Sequence, residues 1–248
     1  MKLFNKFNSK TSQDGVSSPS IFAVEDSRMI YTVSITDNIS DVFIYDEVLM
    51  LLENAEENDE IIFNIASYGG RLDSLLALRS GILSTKATVI GKLVSHACSA
   101  GGMLLLCCHN KIVYPNTTFH AHTASYGSYG KSADIKTQVD FETKQIEKLV
   151  YDIYEGFLDA ENEIPLLLDG KEFYFDAEET IKRLENQALM REEKQSQAEQ
   201  DMFDSIEQQA LDSLSDDELQ EELDGLADVI KELKKEQTKR KKGDKGHK

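Results

Sequence analysis

The stretch SHACSAGGMLLLCC, residues 95–108, decides how the rest of the chain is interpreted. A run this apolar is normally buried, yet it carries one hydroxyl, Ser99, where a helix-like run of leucines begins. A serine at the start of a helix can simply cap it by accepting a backbone N–H. The same position also suits a nucleophile, because the positive end of the helix favours negative charge developing there. We expect a substrate backbone to come close over the small neighbours of the serine, which are Ala97, Ala100, Gly101 and Gly102.

Segments on both sides of this stretch alternate between strand-like and helix-like patterns. EIIFNI (60–65) and ATVIGKLV (87–94) are short apolar runs typical of buried strands, and the leucines of 71–83 between them recur at helical spacing. Two more strands are predicted at 111–115 and 117–122, followed by a long helix from about Ser132 to Leu158. This alternation predicts an α/β fold with largely parallel strands.

Composition divides the 248 residues into three parts. Residues 1–20 are polar and predicted to be a mobile leader, 21–184 form the body, and 185–248 form a charged helical tail. The tail is acidic as far as Glu236 and basic from Gln237 to Lys248, and Ser215 and Glu218 have the spacing of a capping box before an amphipathic segment.

Charge and apolar patterning exclude several classes of protein. A net charge of −18 argues against nucleic acid as a partner. No signal-peptide pattern and no membrane-length apolar run are found, so we expect a soluble, cytoplasmic protein without a membrane partner. The three cysteines, Cys98, Cys107 and Cys108, have neither a disulfide framework nor zinc-ligand spacing.

A nucleophilic serine needs a base and donors for an oxyanion. His120 and His122 lie two apart in a predicted strand and so share a face. Such a pair would also suit a metal, but two ligands without a third are a weak metal site, and either imidazole could serve Ser99 from a neighbouring strand. The glycines of SYGG (67–70) follow another strand and would free backbone N–H groups for an oxyanion.

Three segments together resemble the proteolytic subunit of the Clp protease, including viral relatives that act as head-maturation proteases. They are NIASYGG (64–70), SHACSAGG (95–102) and YPNTTFHAH (114–122), and the resemblance covers roughly 22–185. It implies that Ser99 is the nucleophile and that His122, seven residues after Pro115, is the base. The acid would be Glu172, five residues before Ala177. Asp169 and Asp176 stay open as alternatives, and the oxyanion donors would be the amides of Gly70 and Ala100.

The same resemblance implies a fold, an assembly and partners. The fold would be the stacked ββα arrangement shared by Clp proteases and crotonases, with a handle helix after residue 130. Subunits would form a homo-oligomeric ring, a heptamer stacked on a second one, that cuts protein or peptide substrates without a metal or another cofactor. The partner would be a separate AAA+ ATPase or a viral scaffold or capsid protein, because the chain has no phosphate-binding loop of its own. Two alternatives remain: a catalytically inactive structural subunit, and a crotonase-type acyl-CoA enzyme.

Overall fold

A single mixed sheet organises the strands of the computed structural model, which describes residues 2–6, 10–25, 28–125, 127, 129–213 and 231. The strands follow the order β1-β2-β3-β4-β5-β7-β8, and β6 also pairs with β5. The pairs β1–β2, β2–β3 and β7–β8 are antiparallel, whereas β3, β4, β5 and β7 run parallel to one another. The strands are β1 Lys2–Lys6, β2 Ile21–Glu25, β3 Met29–Ile35, β4 Glu60–Ser67, β5 Thr88–Cys98, β6 Asn110–Val113, β7 Thr118–Ala121 and β8 Phe173–Phe175.

Helices connect the parallel strands and cover the apolar side of the sheet. In β4 every second residue is buried, including Ile61, Phe63 and Ile65, as expected for a strand packed against helices on one face. The helices are α1 Asp46–Asn54, α2 Leu72–Ser84, α3 Ala100–Cys107, α4 Ser132–Tyr154, α5 Glu163–Leu168 and α6 Ala177–Ser213, with a short 3-10 helix at Val42–Tyr45. The predicted α/β class is confirmed, because helices connect the parallel strands of one mixed sheet.

The central strand β5 changes its neighbour along its length. Its residues Ile90–Leu93 pair with β6, and its residues His96–Cys98 pair with β7. Both pairings are parallel, so β7 continues beside the carboxyl end of β5 where β6 has ended. This change of partner brings the end of β7 next to the residue that follows β5.

The long helix α4 ends at Tyr154, four residues earlier than the sequence predicts. Gly156 follows with φ of 83°, a conformation that reverses the chain and that glycine adopts without strain. All buried residues of α4 lie in its last six positions, from Leu149 to Tyr154. Ile146 still packs against the core, so only the first turns of the helix extend away from it, as expected of a handle.

The described residues before β2 and after the body of the chain also have regular structure. Within the segment predicted to be a mobile leader, β1 pairs with β2, and a closed loop spans 10–18. The predicted boundary at 184/185 falls inside the continuous helix α6, and the chain divides into two compact units at 190/191. The capping box at Ser215 and the basic segment from Gln237 lie outside the described residues.

Candidate active site

Three loops meet at the carboxyl ends of the parallel strands. Ser99 follows β5 directly, the turn Tyr68–Gly70 follows β4, and His122 follows β7. Pairing holds these ends together, because Ser67 is opposite Ala97 in β4–β5, and β5 continues beside β7. The carboxyl ends of parallel strands are where α/β folds bind ligands. The topology therefore brings together the three segments that the sequence analysis selected.

Ser99 occupies a strained backbone conformation with φ 51° and ψ −126°. Its N–H donates to the carbonyl of His120 at 2.9 Å, and its carbonyl accepts the N–H of Met103 at 3.0 Å. The side chain makes no capping hydrogen bond, although the residue stands at the N-terminus of α3. Capping therefore does not explain this serine, and its hydroxyl remains available. A non-glycine residue in such a region costs about 1–3 kcal/mol and is most often found at functional sites.

The small residues after Ser99 have a different role from the one expected. Gly101 and Gly102 are buried, and a Cβ on Gly101 would lie 2.9 Å from the carbonyl oxygen of Ser67. A Cβ on Gly102 would lie 2.9 Å from the ring of Phe119. The expectation that these glycines admit a substrate backbone is wrong, because they let α3 pack against β4 and β7.

His122 carries a hydrogen bond that fixes its tautomer. Its Nδ1 lies 2.8 Å from the carbonyl oxygen of Thr123. A carbonyl can only accept, so the neutral ring carries its proton on Nδ1 and leaves Nε2 as the acceptor. A serine protease base needs this tautomer to take a proton from a hydroxyl.

His120 lies on the same face of β7 and has different partners. Its ring stacks on Tyr174 with centroids 4.0 Å apart and planes 8° apart, and its centroid is 5.1 Å from that of His122. Its Nε2 lies 3.4 Å from Oε2 of Glu172. Burial, and then the nearby charge of His122, lower the pKa of His120, which keeps its imidazole neutral. Among the described residues, no group of three or more side chains suits a metal ion, so the pair acquires no third ligand.

Glu172 is held by Tyr174 and faces His120. The Tyr174 hydroxyl donates to Oε2 of Glu172 at 2.5 Å, and this bond, with smaller effects of His120 and His122, holds the pKa of the carboxyl below its usual range. The β7–β8 register pairs Ala121 with Phe173, so one further step along both strands brings Glu172 opposite His122. The backbone is thus placed beside His122, while the carboxylate points to the neighbouring imidazole.

The two alternative acids occupy different surroundings. Asp169 ends α5 and lines a cleft of about 560 Å³ together with Thr123 and Ala124, the residues directly after His122. Asp176 caps α6, because its Oδ1 accepts the N–H of Glu179 at 2.9 Å. A carboxylate used as a helix cap is the least suited of the three to orient an imidazole.

The oxyanion loop, defined here as residues 67–71, lies directly against the serine. Gly69 has φ of 99°, and a Cβ placed on it would lie 2.6 Å from Cβ of Ser99. Its N–H donates to the hydroxyl of Ser67 at 3.1 Å. Within the described part of the chain, the N–H groups of Gly70 and Ala100 donate to no other group. Two backbone donors beside Ser99 are therefore free to receive an acceptor.

Two features of the site were not found from the sequence. Tyr68 contacts His96 with ring centroids 4.0 Å apart, and together with His120 and Tyr174 these rings line a cleft of about 570 Å³. The alternation within FYF (173–175) was the available signal for Tyr174, since it predicts that the middle residue faces away from the core.

Cys98 lines the same cleft, but burial raises the pKa of its thiol, so it is a poor competitor to Ser99 as a nucleophile.

Comparison with known proteins identifies a family for most of the chain. The model of the Clp protease family, described as Clp protease, matches residues 15–183. No curated protein matches the chain. In the portion of the chain that the structure describes, no helix has the length and apolar character required to cross a bilayer.

Proposed function

Because the chain belongs to the Clp protease family, we propose that it is an active serine endopeptidase in which Ser99 attacks the peptide carbonyl. Membership of the family implies serine peptidase chemistry in general. One observation supports it most: Ser99 combines positive φ with a hydroxyl that caps nothing, beside two free backbone amides.

In the proposed first step, the Ser99 hydroxyl attacks the carbonyl carbon while Nε2 of His122 takes its proton. The hydrogen bond from Nδ1 to the Thr123 carbonyl supports this role, because it leaves Nε2 as the acceptor. The oxyanion accepts hydrogen bonds from the N–H groups of Gly70 and Ala100. One such donor is worth about 3 kcal/mol in the transition state.

In the second step the C–N bond breaks, and His122 returns its proton to the leaving amine. A water molecule then attacks the acyl ester, again with His122 as the base, and releases the carboxylate product together with the free serine. No cofactor is needed to balance these steps.

We propose Glu172 as the acid that stabilises the imidazolium formed in each step. The strand register supports this, since Glu172 is the residue opposite His122 one step beyond the last β7–β8 pair. Its carboxylate is 52% exposed and can reach a different rotamer without disturbing the core. Such a rotation would exchange the contact with His120 for one with His122, whose Nδ1–H would then donate to the carboxylate in place of the Thr123 carbonyl.

Clp proteases typically act as oligomeric rings on protein substrates. For this chain we propose a heptameric ring, stacked on a second one, with an AAA+ ATPase or a viral scaffold or capsid protein as the partner. Native mass spectrometry of the full chain tests the ring directly, and a monomer at micromolar concentration would contradict it.

Labelling by a fluorophosphonate probe tests the chemistry. Wild-type protein should be labelled, Ser99→Ala should not, and His122→Ala should label at least about 10³-fold more slowly. An unlabelled wild type indicates the inactive structural subunit. Turnover of acyl-CoA that survives Ser99→Ala indicates the crotonase-type enzyme.

The acid is identified by comparing Glu172→Gln, Asp169→Asn and Asp176→Asn, which keep the side-chain volume. Loss of the acid that orients the imidazole should reduce kcat by about 10⁴-fold, and the other two changes should have small effects. A loss found only in Asp169→Asn would transfer the role to that residue.

A further inference from the structure

One residue, Ile39, holds the oxyanion loop on both sides of Gly70. Its N–H donates to the carbonyl of Gly69 at 2.7 Å, and its carbonyl accepts the N–H of Arg71 at 2.7 Å. A Cβ on Gly70 would lie 2.1 Å from the carbonyl oxygen of Ile39, so the two backbones are in direct contact. The direction of the Gly70 amide therefore depends on where the backbone at Ile39 lies.

The next residue, Ser40, is buried, and three separate contacts hold it in place. Its N–H donates to the hydroxyl of Tyr45 at 3.3 Å, and its carbonyl accepts the hydroxyl of Ser74. Its own hydroxyl donates to both carboxylate oxygens of Asp14, at 2.8 and 3.0 Å. Two of these contacts come from the body, and the third comes from the N-terminal leader.

The leader presents Asp14 from a closed loop. Ser12 N–H donates to the carbonyl of Val16 at 2.7 Å, and Ser18 N–H donates to that of Lys10 at 2.8 Å. The ammonium of Lys10 lies 2.6 Å from the carboxylate of Asp46 at the start of α1, which attaches this loop to the body. Hydrogen bonds from Ser12 and from the body residue Ser40 lower the pKa of Asp14, so its carboxylate is ionised at neutral pH.

We infer that Asp14 is a positioning residue for catalysis: through Ser40 and Ile39 it holds the Gly70 amide in place to bind the oxyanion. The inference rests on the proposed function, since it concerns the oxyanion site of the same reaction. It assigns to the N-terminal leader a role in the chemical step, namely to keep the Gly70 amide in position.

The test compares Asp14→Ala with Asp14→Asn and with Gln13→Ala, an exposed neighbour in the same loop. Losing one oxyanion donor outright costs about 10²–10³-fold in kcat, so partial misplacement should cost about tenfold. We expect Asp14→Ala to lower kcat of a peptide ester about tenfold with little change in KM. Its affinity for a peptide aldehyde, which forms an oxyanion on the enzyme, should fall by a similar factor. Asp14→Asn keeps an acceptor oxygen and should recover most of both losses, and Gln13→Ala should match wild type.

The route through Ser40 is tested by a double-mutant cycle. Ser40→Ala and the double variant with Asp14→Ala should show nearly the same aldehyde affinity, because both remove the same contact. If the losses of aldehyde affinity in Asp14→Ala and Ser40→Ala multiply in the double variant, the inference is overturned. It is also overturned if Asp14→Ala behaves like Gln13→Ala. A shift in KM alone, with kcat and aldehyde affinity unchanged, would also overturn it. If wild-type Ser99 fails to react with a fluorophosphonate, the proposed function fails as well; if it reacts and the coupling is absent, only this inference fails.

Discussion

Replacing Gly69 with alanine should disturb both the fold and the nucleophile, because this glycine is strained and tightly enclosed. Its φ of 99° costs a residue with a side chain about 1–2 kcal/mol. An added Cβ would lie 2.6 Å from Cβ of Ser99, 2.7 Å from the carbonyl oxygen of Cys98 and 2.9 Å from the amide nitrogen of Ala100. None of these atoms is the far end of a flexible side chain, so the backbone must move, at a further cost of about 1–3 kcal/mol.

The two costs together predict that Gly69→Ala lowers the free energy of unfolding by about 2–5 kcal/mol. Gly170→Ala is a matched control, because Gly170 has φ of 96° and nothing within 4 Å of an added Cβ. It should show only the backbone cost of about 1–2 kcal/mol. Urea denaturation of the two variants under the same conditions separates the steric cost from the backbone cost.

The same displacement should slow the reaction of Ser99. A shift of about 1 Å in a catalytic group can cost about 10²-fold in rate, so we expect fluorophosphonate labelling of Gly69→Ala to be about a hundredfold slower than that of wild type. If Gly69→Ala is no less stable than Gly170→Ala, or if its Ser99 labels at the wild-type rate, Gly69 is not tightly enclosed against the serine.

Three further predictions concern the packing of α6 and the two histidines. Arg183 binds both carboxylate oxygens of Glu163, at 2.7 and 3.0 Å, and lies over the ring of Phe175. Arg183→Ala should therefore lower the free energy of unfolding in urea by about 3 kcal/mol. Arg183→Lys should recover less than half of this loss. The same guanidinium lowers the pKa of Glu163, so its contribution to stability is present above the unfolded-state pKa of about 4.3 and is lost as pH falls through the lower folded-state pKa. Unfolding measured from pH 6 to 3 should therefore depend less on pH in Arg183→Ala, and equal slopes would contradict the linkage. His120→Phe preserves the stack on Tyr174 and should slow Ser99 labelling less than tenfold, whereas a loss as large as that of His122→Ala would make His120 the base.

The meeting of three loops could be predicted from the sequence because each loop follows a predicted strand. Periodicity identified β4 and β5 as buried strands, and alternation with helices predicted that the strands are parallel. Parallel strands put their carboxyl ends on one edge of the sheet, and this places the oxyanion loop, Ser99 and His122 together. The local pattern was sufficient here because β4, β5 and β7, the strands that precede these loops, occur in the same order in the sheet as along the chain.

The partner of each histidine could not be predicted in this way. His120 and His122 have the same face and nearly the same neighbours in sequence, so periodicity does not distinguish them. The distinction comes from β8, whose antiparallel register pairs His120 with Tyr174 and brings Glu172 within 3.4 Å of the His120 ring. A pairing between segments more than fifty residues apart depends on the whole fold, and no window of sequence contains it.

The backbone of Ser99 favours an active enzyme over an inactive subunit with the same fold. A serine at φ 51° and ψ −126° costs about 1–3 kcal/mol, and glycine at this position would remove most of that cost. The helix gains nothing from the hydroxyl, since it makes no capping bond there. Packing does not require it either, because the contacts that bring α3 onto the sheet are made at Gly101 and Gly102. With capping and packing excluded, the conformation leaves the hydroxyl uncommitted at the carboxyl end of β5, as the proposed role of Ser99 as nucleophile needs.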